Sequence, residues 1–405
     1  MLSVTDAFLA NLRQSHVVTV AAALYPPDGT GPLAVPVEAA AGEVVLDRSA
    51  QTRRTGSLQI PYTAELRELL VDPDLRQLCF GGYARVQRGI LYARSEELCT
   101  VGHLRVESVS WSTNDSVARL ELADRMAQVA NEPLLAPYAP TGLRPSQAAI
   151  ALVTEVFGGA ISYTSTVPAA SEPSLIDVVY ADDRAAAVAD LAKVVGAEAY
   201  FDELGNFRFD PLPDPASASP VFTIDAGGAG VMVDAVEALD RTAVVNGVLM
   251  QGQPDGGAPP VSALVVDSDP ASPTRWGGPF GKVARVESST AVQSTAQASA
   301  AAQALLNNQL GLERVLTVQM VPNPALVPGD VVQLDFPDGT SEQHVIESMR
   351  LPLDVESAAE LVTRAVWSPT LLSAQALSGV QARRSYTGAQ AWAELRARPR
   401  STVRL

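Results

Sequence analysis

Three pairs of carboxylates are the residues of this chain best placed to do chemistry: Asp182/Asp183, Asp267/Asp269 and Glu96/Glu97. Two carboxyl groups flanking a glycosidic bond can share the roles of proton donor and nucleophile or base, at separations of about 5 to 10 Å. Closeness in sequence does not set that separation. Asp182/Asp183 precede an apolar helical stripe, where a helix N-terminus favours negative charge. Asp267/Asp269 fall in a Ser-Asp-Pro turn, so both pairs have a structural reading beside the catalytic one.

Other chemistry finds less support. Gly277-Gly278-Pro279-Phe280-Gly281-Lys282 has three residues between Gly277 and Gly281 where a phosphate loop has four. It also has a proline inside the loop and Val283 where Ser or Thr would hold magnesium. Gly227-Gly228-Ala229-Gly230 misses the dinucleotide spacing and reads as a turn. His16, His103 and His344 are the only histidines, each alone in a strand pattern, with none of the spacings that bind zinc. No Gly-x-Ser-x-Gly elbow occurs, and two cysteines, Cys79 and Cys99, cannot build a cysteine metal site. The residues therefore predict no cofactor and no metal.

The elements that must position these groups are mostly strands. Residues 1–135 predict a β-barrel behind a short N-terminal helix, with strands over His16–Tyr25, Gly42–Leu46, Arg53–Ile60, Tyr83–Ala93, His103–Ser112 and Ser116–Leu122. The last two are linked by Thr113-Asn114-Asp115, and a brief helix is expected over Ala64–Val71. Residues 136–212 switch to a helical period: a helix opened by Pro145-Ser146-Gln147, a second opened by Asp182-Asp183, then a hairpin over Glu198–Asp210. This reads as a small α+β module. Pro211, Pro213 and Pro215 lead into a linker over 213–220.

Residues 221–372 return to strands, interrupted by an Ala/Gln-rich helix over Ser294–Gly311 that is expected to pack on the second barrel or on a neighbouring subunit. Around Val315–Phe336, two alternating runs flank Pro322-Asn323-Pro324 and Pro328-Gly329-Asp330, and this stretch is expected to form an edge of that barrel. The fold class is thus α+β, mainly β, with two tube-like antiparallel β-barrels and an inserted α+β module.

Composition bounds the function further. A chain of 405 residues, 47 % hydrophobic and 18 % charged, can bury real cores. No apolar run of 18 residues is present and the N-terminus lacks a secretory layout, so folding in a reducing cytosol without membrane insertion is expected. Formal charge is −16, yet residues 381–405 hold six arginines against Glu394, a balance of +5 that leaves −21 elsewhere. An acidic body disfavours nucleic-acid binding. The basic tail, residues 373–405, supplies candidate assembly contacts in Arg383, Arg384, Trp392, Arg396, Arg398 and Arg400, with Trp392 and Leu395 suited to docking on an acidic surface.

Taken in order, four stretches carry a resemblance: Leu120–Arg125 (LELADR), Glu198–Asp210 (EAYFDELGNFRFD), Arg241–Gln251 (RTAVVNGVLMQ) and the Pro-rich segment after the Ala/Gln helix. Over roughly residues 15–370 the chain resembles the tail-tip or baseplate hub proteins of bacteriophages, a lineage shared with the VgrG-type proteins of contractile injection systems. The resemblance implies a non-enzymatic virion protein, with two barrels per chain and three chains forming a ring of six. Such a hub would join a six-fold tail tube to three-fold tip components and line the DNA path. Implied partners are further copies of itself, the tail tube or distal tail protein, the tape-measure protein and spike or fibre proteins. A contractile-injection hub, and a cell-wall glycan hydrolase using an Asp/Glu pair, are the alternatives.

Overall fold

The computed structural model describes residues 1–26, 36–37, 41–63, 81–112, 117–239, 244–252, 261–310 and 314–366. The helix expected over Ala64–Val71, Cys79, the Thr113–Asp115 link and all six candidate contacts of the tail lie outside the described residues.

Helix α1 (Asp6–Asn11) leads into strands β1 (Val17–Tyr25), β2 (Pro36–Val37), β3 (Ala41–Asp47), β4 (Arg54–Pro61), β5 (Tyr83–Leu91), β6 (Glu96–Trp111) and β7 (Val117–Ala123). A middle section follows: α2 (Arg125–Asn131), α3 (Pro145–Val156), β8 (Tyr163–Ser165), α4 (Arg184–Val194), β9 (Ala197–Phe201) and β10 (Phe207–Pro211). The remainder is β11 (Phe222–Asp225), β12 (Met232–Leu239), β13 (Gly247–Gly252), β14 (Ser262–Val266), β15 (Ala284–Ser289), α5 (Thr295–Asn307), β16 (Arg314–Met320), β17 (Val331–Asp335), β18 (Ser341–Pro352) and β19 (Ala359–Ala365). The class is α+β, mainly β.

Period-two alternation builds the first core. Val44 and Leu46, Leu58 and Ile60, Leu120 and Leu122, Leu316 and Val318, and Val332 and Leu334 all turn inward and are buried together. Two separate barrels do not follow. Thirteen strands form one sheet in the order β12-β16-β19-β18-β3-β4-β7-β6-β5-β1-β2, with β11 and β17 joined to it through β18, and no closed barrel is formed among the described residues.

The reason is β18, which is long enough to serve two partners along one edge. Its Ser341–Val345 pair with β17, its Ser348–Pro352 pair with β3, and its other edge takes β19. A register shift between Ile346 and Ser348 separates the two uses. One backbone ladder thus runs through both expected barrels. The two strands around the Pro-rich stretch, expected at an edge, lie instead in the interior of the sheet: β16 lies between β12 and β19, and β17 between β11 and β18.

The second core is helical on one side. The small parallel-antiparallel sheet β8-β10-β9 and a further sheet β14-β13-β15 enclose α2, α3, α4 and α5. Strands at 247–252, 262–266 and 284–289 and the Ala/Gln helix were expected in the second barrel; they build this second core instead. Ala298, Ala301, Ala302 and Leu306 of α5 are buried with Val248 and Met250 of β13 and Leu191 of α4. Small residues permit the approach: a Cβ on Gly196, at φ +61°, would lie 2.6 Å from the Cβ of Ala304.

Helix ends are closed as the sequence indicates. Asp183 caps α4 by accepting from Ala186 N, and Ser294 with Gln297 forms a capping box on α5.

Candidate functional site

Where the two cores meet, four arginines of the first reach into the second, and Arg125 at the start of α2 joins them. Arg48 follows β3, Arg53 and Arg54 open β4, Arg125 opens α2, and Arg364 lies near the end of β19. Their acceptors lie on β9, on the β9–β10 turn and at the C-terminal end of α5.

Arg48 donates Nε to Glu198 Oε2 at 3.0 Å and Nη1 to Asn308 Oδ1 at 3.0 Å. Arg53 donates to the same carboxylate at 2.8 Å, and its guanidinium lies 4.3 Å from the centre of the Tyr200 ring. Arg54 donates to the carbonyl of Phe201 and lies 3.7 Å from Glu203. Arg364 donates to Leu310 O at 2.9 Å and to Asn308 Oδ1 at 3.2 Å, and pairs with Glu347. Asn308, the C-cap of α5, thus receives two cations where a helix dipole favours them.

Arg48, Arg54 and Arg364 are buried, Arg364 to 1 % exposure and Arg54 to 5 %, whereas Arg53 and Arg125 are half-buried. Burial lowers the Arg54 pKa, with Glu203 and Asp124 opposing that effect. Arg48, Arg54 and Arg364 use the planar fork that a lysine lacks, each reaching more than one acceptor from one head group. Burial also raises the Tyr200 phenol to about 12, with the Asp210 and Glu198 charges adding to it. A cavity of about 250 Å³ lies within this network, lined by Arg48, Arg53, Arg54 and Arg208 opposite Glu198 and Glu203.

An aromatic column continues the clasp. His103 of β6 stacks on Tyr83 at 5.1 Å and meets Tyr25 edge-on at 5.2 Å. Arg85 lies over Tyr25, and Arg125 lies between Tyr83 and Phe157 while donating to Gly205 O at 3.0 Å. Burial first, then the two neighbouring guanidiniums, hold the His103 imidazole down to about 4. At neutral pH this ring is therefore an uncharged spacer between two cations.

Asp124 secures the junction from the backbone side. It caps α2 by accepting Met126 N at 2.8 Å, and its second oxygen accepts Arg54 N at 2.8 Å. Burial lifts its carboxyl to about 6 despite these bonds.

The candidate catalytic pairs are occupied elsewhere. Asp183 caps α4, and Asp182 accepts Asp183 N. Asp267, 4 % exposed, accepts from Thr274 Oγ1 at 2.8 Å and from Ser272, closing the loop that contains Asp269. Glu97 accepts the amide and hydroxyl of Thr5 at 2.8 and 2.7 Å, tethering α1, and Glu96 accepts Thr19 Oγ1 at 3.3 Å. No two pairs come together.

The glycine loop at 277–282 is held by buried Asn246, which donates to the carbonyls of Thr274 and Gly281 and accepts Val283 N. His344 is buried between Thr363 Oγ1 and Glu342, and His16 contacts Gln14 O. Among the described residues no cluster of His, Cys, Asp and Glu could hold a metal ion.

Sequence reasoning singled out the acceptor hairpin Glu198–Asp210 and Asp124–Arg125, but it missed Arg48, Arg53, Arg54 and Arg364 as a group. A usable signal was present: Arg364 sits in a strand whose inward positions are apolar, and Arg53-Arg54 open another.

No family model matches the chain, and no curated protein matches it. Solved structures do. A tail protein from Neisseria meningitidis superposes with a TM-score of 0.60 at 14 % identity, over 86 % of this chain and 98 % of that one. The 43 kDa tail protein of prophage MuSo2 from Shewanella oneidensis gives 0.57 at 14 % identity, over 85 % and 98 %. A chain of the lidded Francisella PdpA–VgrG complex gives 0.50 at 8 % identity, over 93 % of this chain and 55 % of that one. The fold of this chain is that of the two tail proteins, nearly end to end, and part of the chain from the PdpA–VgrG complex shares it.

Proposed function

We propose that this chain is a structural subunit of a phage tail, the homotrimeric central hub of the tail tip or baseplate. It joins a six-fold tail tube to three-fold distal components and lines the path of the passing DNA. The observation that carries this reading is the nearly end-to-end fold match to tail proteins, covering 98 % of each. The internal build supports it mechanically. A sheet that runs through both halves of a chain, clasped to a second core by buried charge, transmits load as one piece.

Three copies of a chain with two β sections present six such sections to a six-fold neighbour, and a closed ring leaves no open sheet edge. The acid excess suits a bore that must not hold DNA, through repulsion acting over about 8 Å at physiological salt. Partners in this reading are the tail tube or distal tail protein, the tape-measure protein and spike or fibre proteins, in a virion assembled from the host cytoplasm. Arg383, Arg384, Trp392, Arg396, Arg398 and Arg400 are the proposed assembly contacts of the tail.

Electron microscopy of the purified assembly tests the proposal: a three-fold ring with carboxylates facing the bore is expected, and a bore lined by arginine contradicts it. A second reading, the hub of a contractile injection device, is favoured by the likeness to the Francisella complex over 93 % of this chain. Neighbouring genes separate the two, capsid and terminase on one side, sheath and AAA ATPase on the other. Hydrolysis has no comparable support, because each acid pair serves a cap, a turn or a tether.

A further inference from the structure

The clasp carries more hydrogen-bond donors than its own acceptors take up, and the surplus belongs to residues that line its cavity of about 250 Å³. Arg48 spends Nε on Glu198 and Nη1 on Asn308, while its buried Nη2 has no hydrogen-bond partner among the described residues. Arg54 spends Nη1 on the Phe201 carbonyl, and its Nη2 stands 3.7 Å from Glu203, too far for a hydrogen bond. Its buried Nε likewise has no partner among the described residues. Both arginines are more than nine-tenths buried, at 7 % and 5 % exposure, so bulk water does not make good the shortfall.

The acceptors around the cavity are already committed. Asp47 Oδ1 takes the amide and hydroxyl of Ser49 at 2.8 and 2.6 Å, holding the turn after β3. Asp202 takes Leu204 N at 3.0 Å and Asn206 N at 2.8 Å, with Asn206 Nδ2 at 3.1 Å on its second oxygen, and so holds the β9–β10 turn. Glu198 Oε2 is shared by Arg48 and Arg53. With Glu203 these carboxylates balance the four lining arginines, Arg208 included, in formal charge. What Arg48 and Arg54 are short of is an oxygen acceptor, not a counter-charge.

We propose that the cavity is a binding site for a small tetrahedral oxyanion of the phosphate class, held by Arg48 Nη2 and Arg54 Nε. A guanidinium donates to such an ion through charge-assisted bonds, stronger than those to neutral oxygens. A tetrahedral ion sends oxygens in several directions and so serves two arginines that stand at opposite ends of the β3–β4 turn. A planar carboxylate offers only two oxygens along one edge. Arg208 and Glu203 keep partly exposed side chains, which leaves the ion a way in from solvent. Bound there, it adds a tie between the β3–β4 turn of the first core and the β9–β10 hairpin of the second. The proposal does not depend on the hub reading, since it rests on the cavity and its unspent donors alone.

Calorimetric titration of the full-length protein with sodium phosphate, and with sodium acetate and sodium chloride at equal ionic strength, tests it. Phosphate is expected to bind saturably at one site per chain, at least tenfold tighter than acetate, with no saturable heat from chloride. Arg48→Lys keeps the charge and removes the fork, and should weaken phosphate at least tenfold. Arg208→Gln, at a partly exposed side chain on the cavity wall, should weaken it at least threefold and carries the test if Arg48→Lys fails to fold. Arg350→Ala, outside the cavity, should leave it unchanged.

An absence of saturable phosphate binding, equal affinity for acetate, or wild-type affinity in the folded variants of Arg48 and Arg208 would overturn the proposal. Equal weakening by Arg350→Ala would also overturn it, by assigning the binding to surface charge at large.

Discussion

The inside of the first core and the boundary between the two cores are held by different physics. Within the first core, thirteen strands share backbone hydrogen bonds, and the side chains add apolar area. At the boundary, arginine head groups meet a few carboxylate, amide and carbonyl acceptors. A ladder depends on no single side chain, because the backbone is the same whatever residue stands there. A buried charge network is all or nothing, since removing one member strands its partner in a medium that does not solvate it. Sharing one ladder between the two β sections is therefore tolerant of sequence drift, while fastening the second core to it is not.

That contrast can be broken most forcefully at Arg54. Arg54→Met strands Glu203 and the Phe201 carbonyl, and we expect a loss of about 3–5 kcal/mol of unfolding free energy. Urea denaturation followed by tryptophan fluorescence measures it. A loss below about 1 kcal/mol would place the clasp among the weak surface pairs.

The next effect is a pH dependence. His103 is held near 4 in the fold against about 6.5 unfolded, so its contribution is fully present above pH 6.5 and is lost as pH falls toward 4, by at most about 3 kcal/mol. Asp124 acts oppositely. Its folded carboxyl, raised to about 6, takes up a proton before the unfolded one does, and this favours the fold as pH falls from 6 toward 3.8. The informative quantity is the stability of the wild type minus that of His103→Phe at each pH. It should fall between pH 6.5 and 4; a flat difference would remove His103 from the clasp.

Smaller effects sharpen the same comparison away from the boundary. Asp183→Ala removes the cap of α4 and is expected to cost about 1 kcal/mol in thermal or urea unfolding. Arg350→Ala breaks a pair with Glu43 at 3.0 Å whose arginine is largely exposed, and less than about 1 kcal/mol is expected. If Arg350→Ala cost as much as Arg54→Met, burial would not be what distinguishes the clasp arginines.

Much of the first core was legible because strands announce themselves by alternation: β1, β3, β4, β5 and β7 lie within a residue or two of their expected spans. The start of α4 at Asp182-Asp183 was legible too. The fusion of the barrels was not. Alternation names the buried face of β18 but says nothing of how many partners share its edge, and that depends on length and on a register shift. The second core was misassigned for a related reason. Val248 and Met250 alternate as well as any barrel strand, and their partner is decided by the helix Ala298–Leu306, whose apolar stripe names burial without a destination.

For the clasp, the hairpin Glu198–Asp210 was visible through its turn chemistry. The arginines were hidden, because a guanidinium in a strand reads as a solvent-facing residue until its acceptors in the second core, from 54 to 260 positions away in sequence, are placed beside it.

The central claim is that this chain acts as a three-fold hub. Native mass measurement of the purified full-length protein, over a range of concentrations that includes those of assembly, tests it most directly. A species of three times the 42.5 kDa chain is expected. A strict monomer throughout that range, or a closed oligomer whose copy number is not a multiple of three, would contradict it.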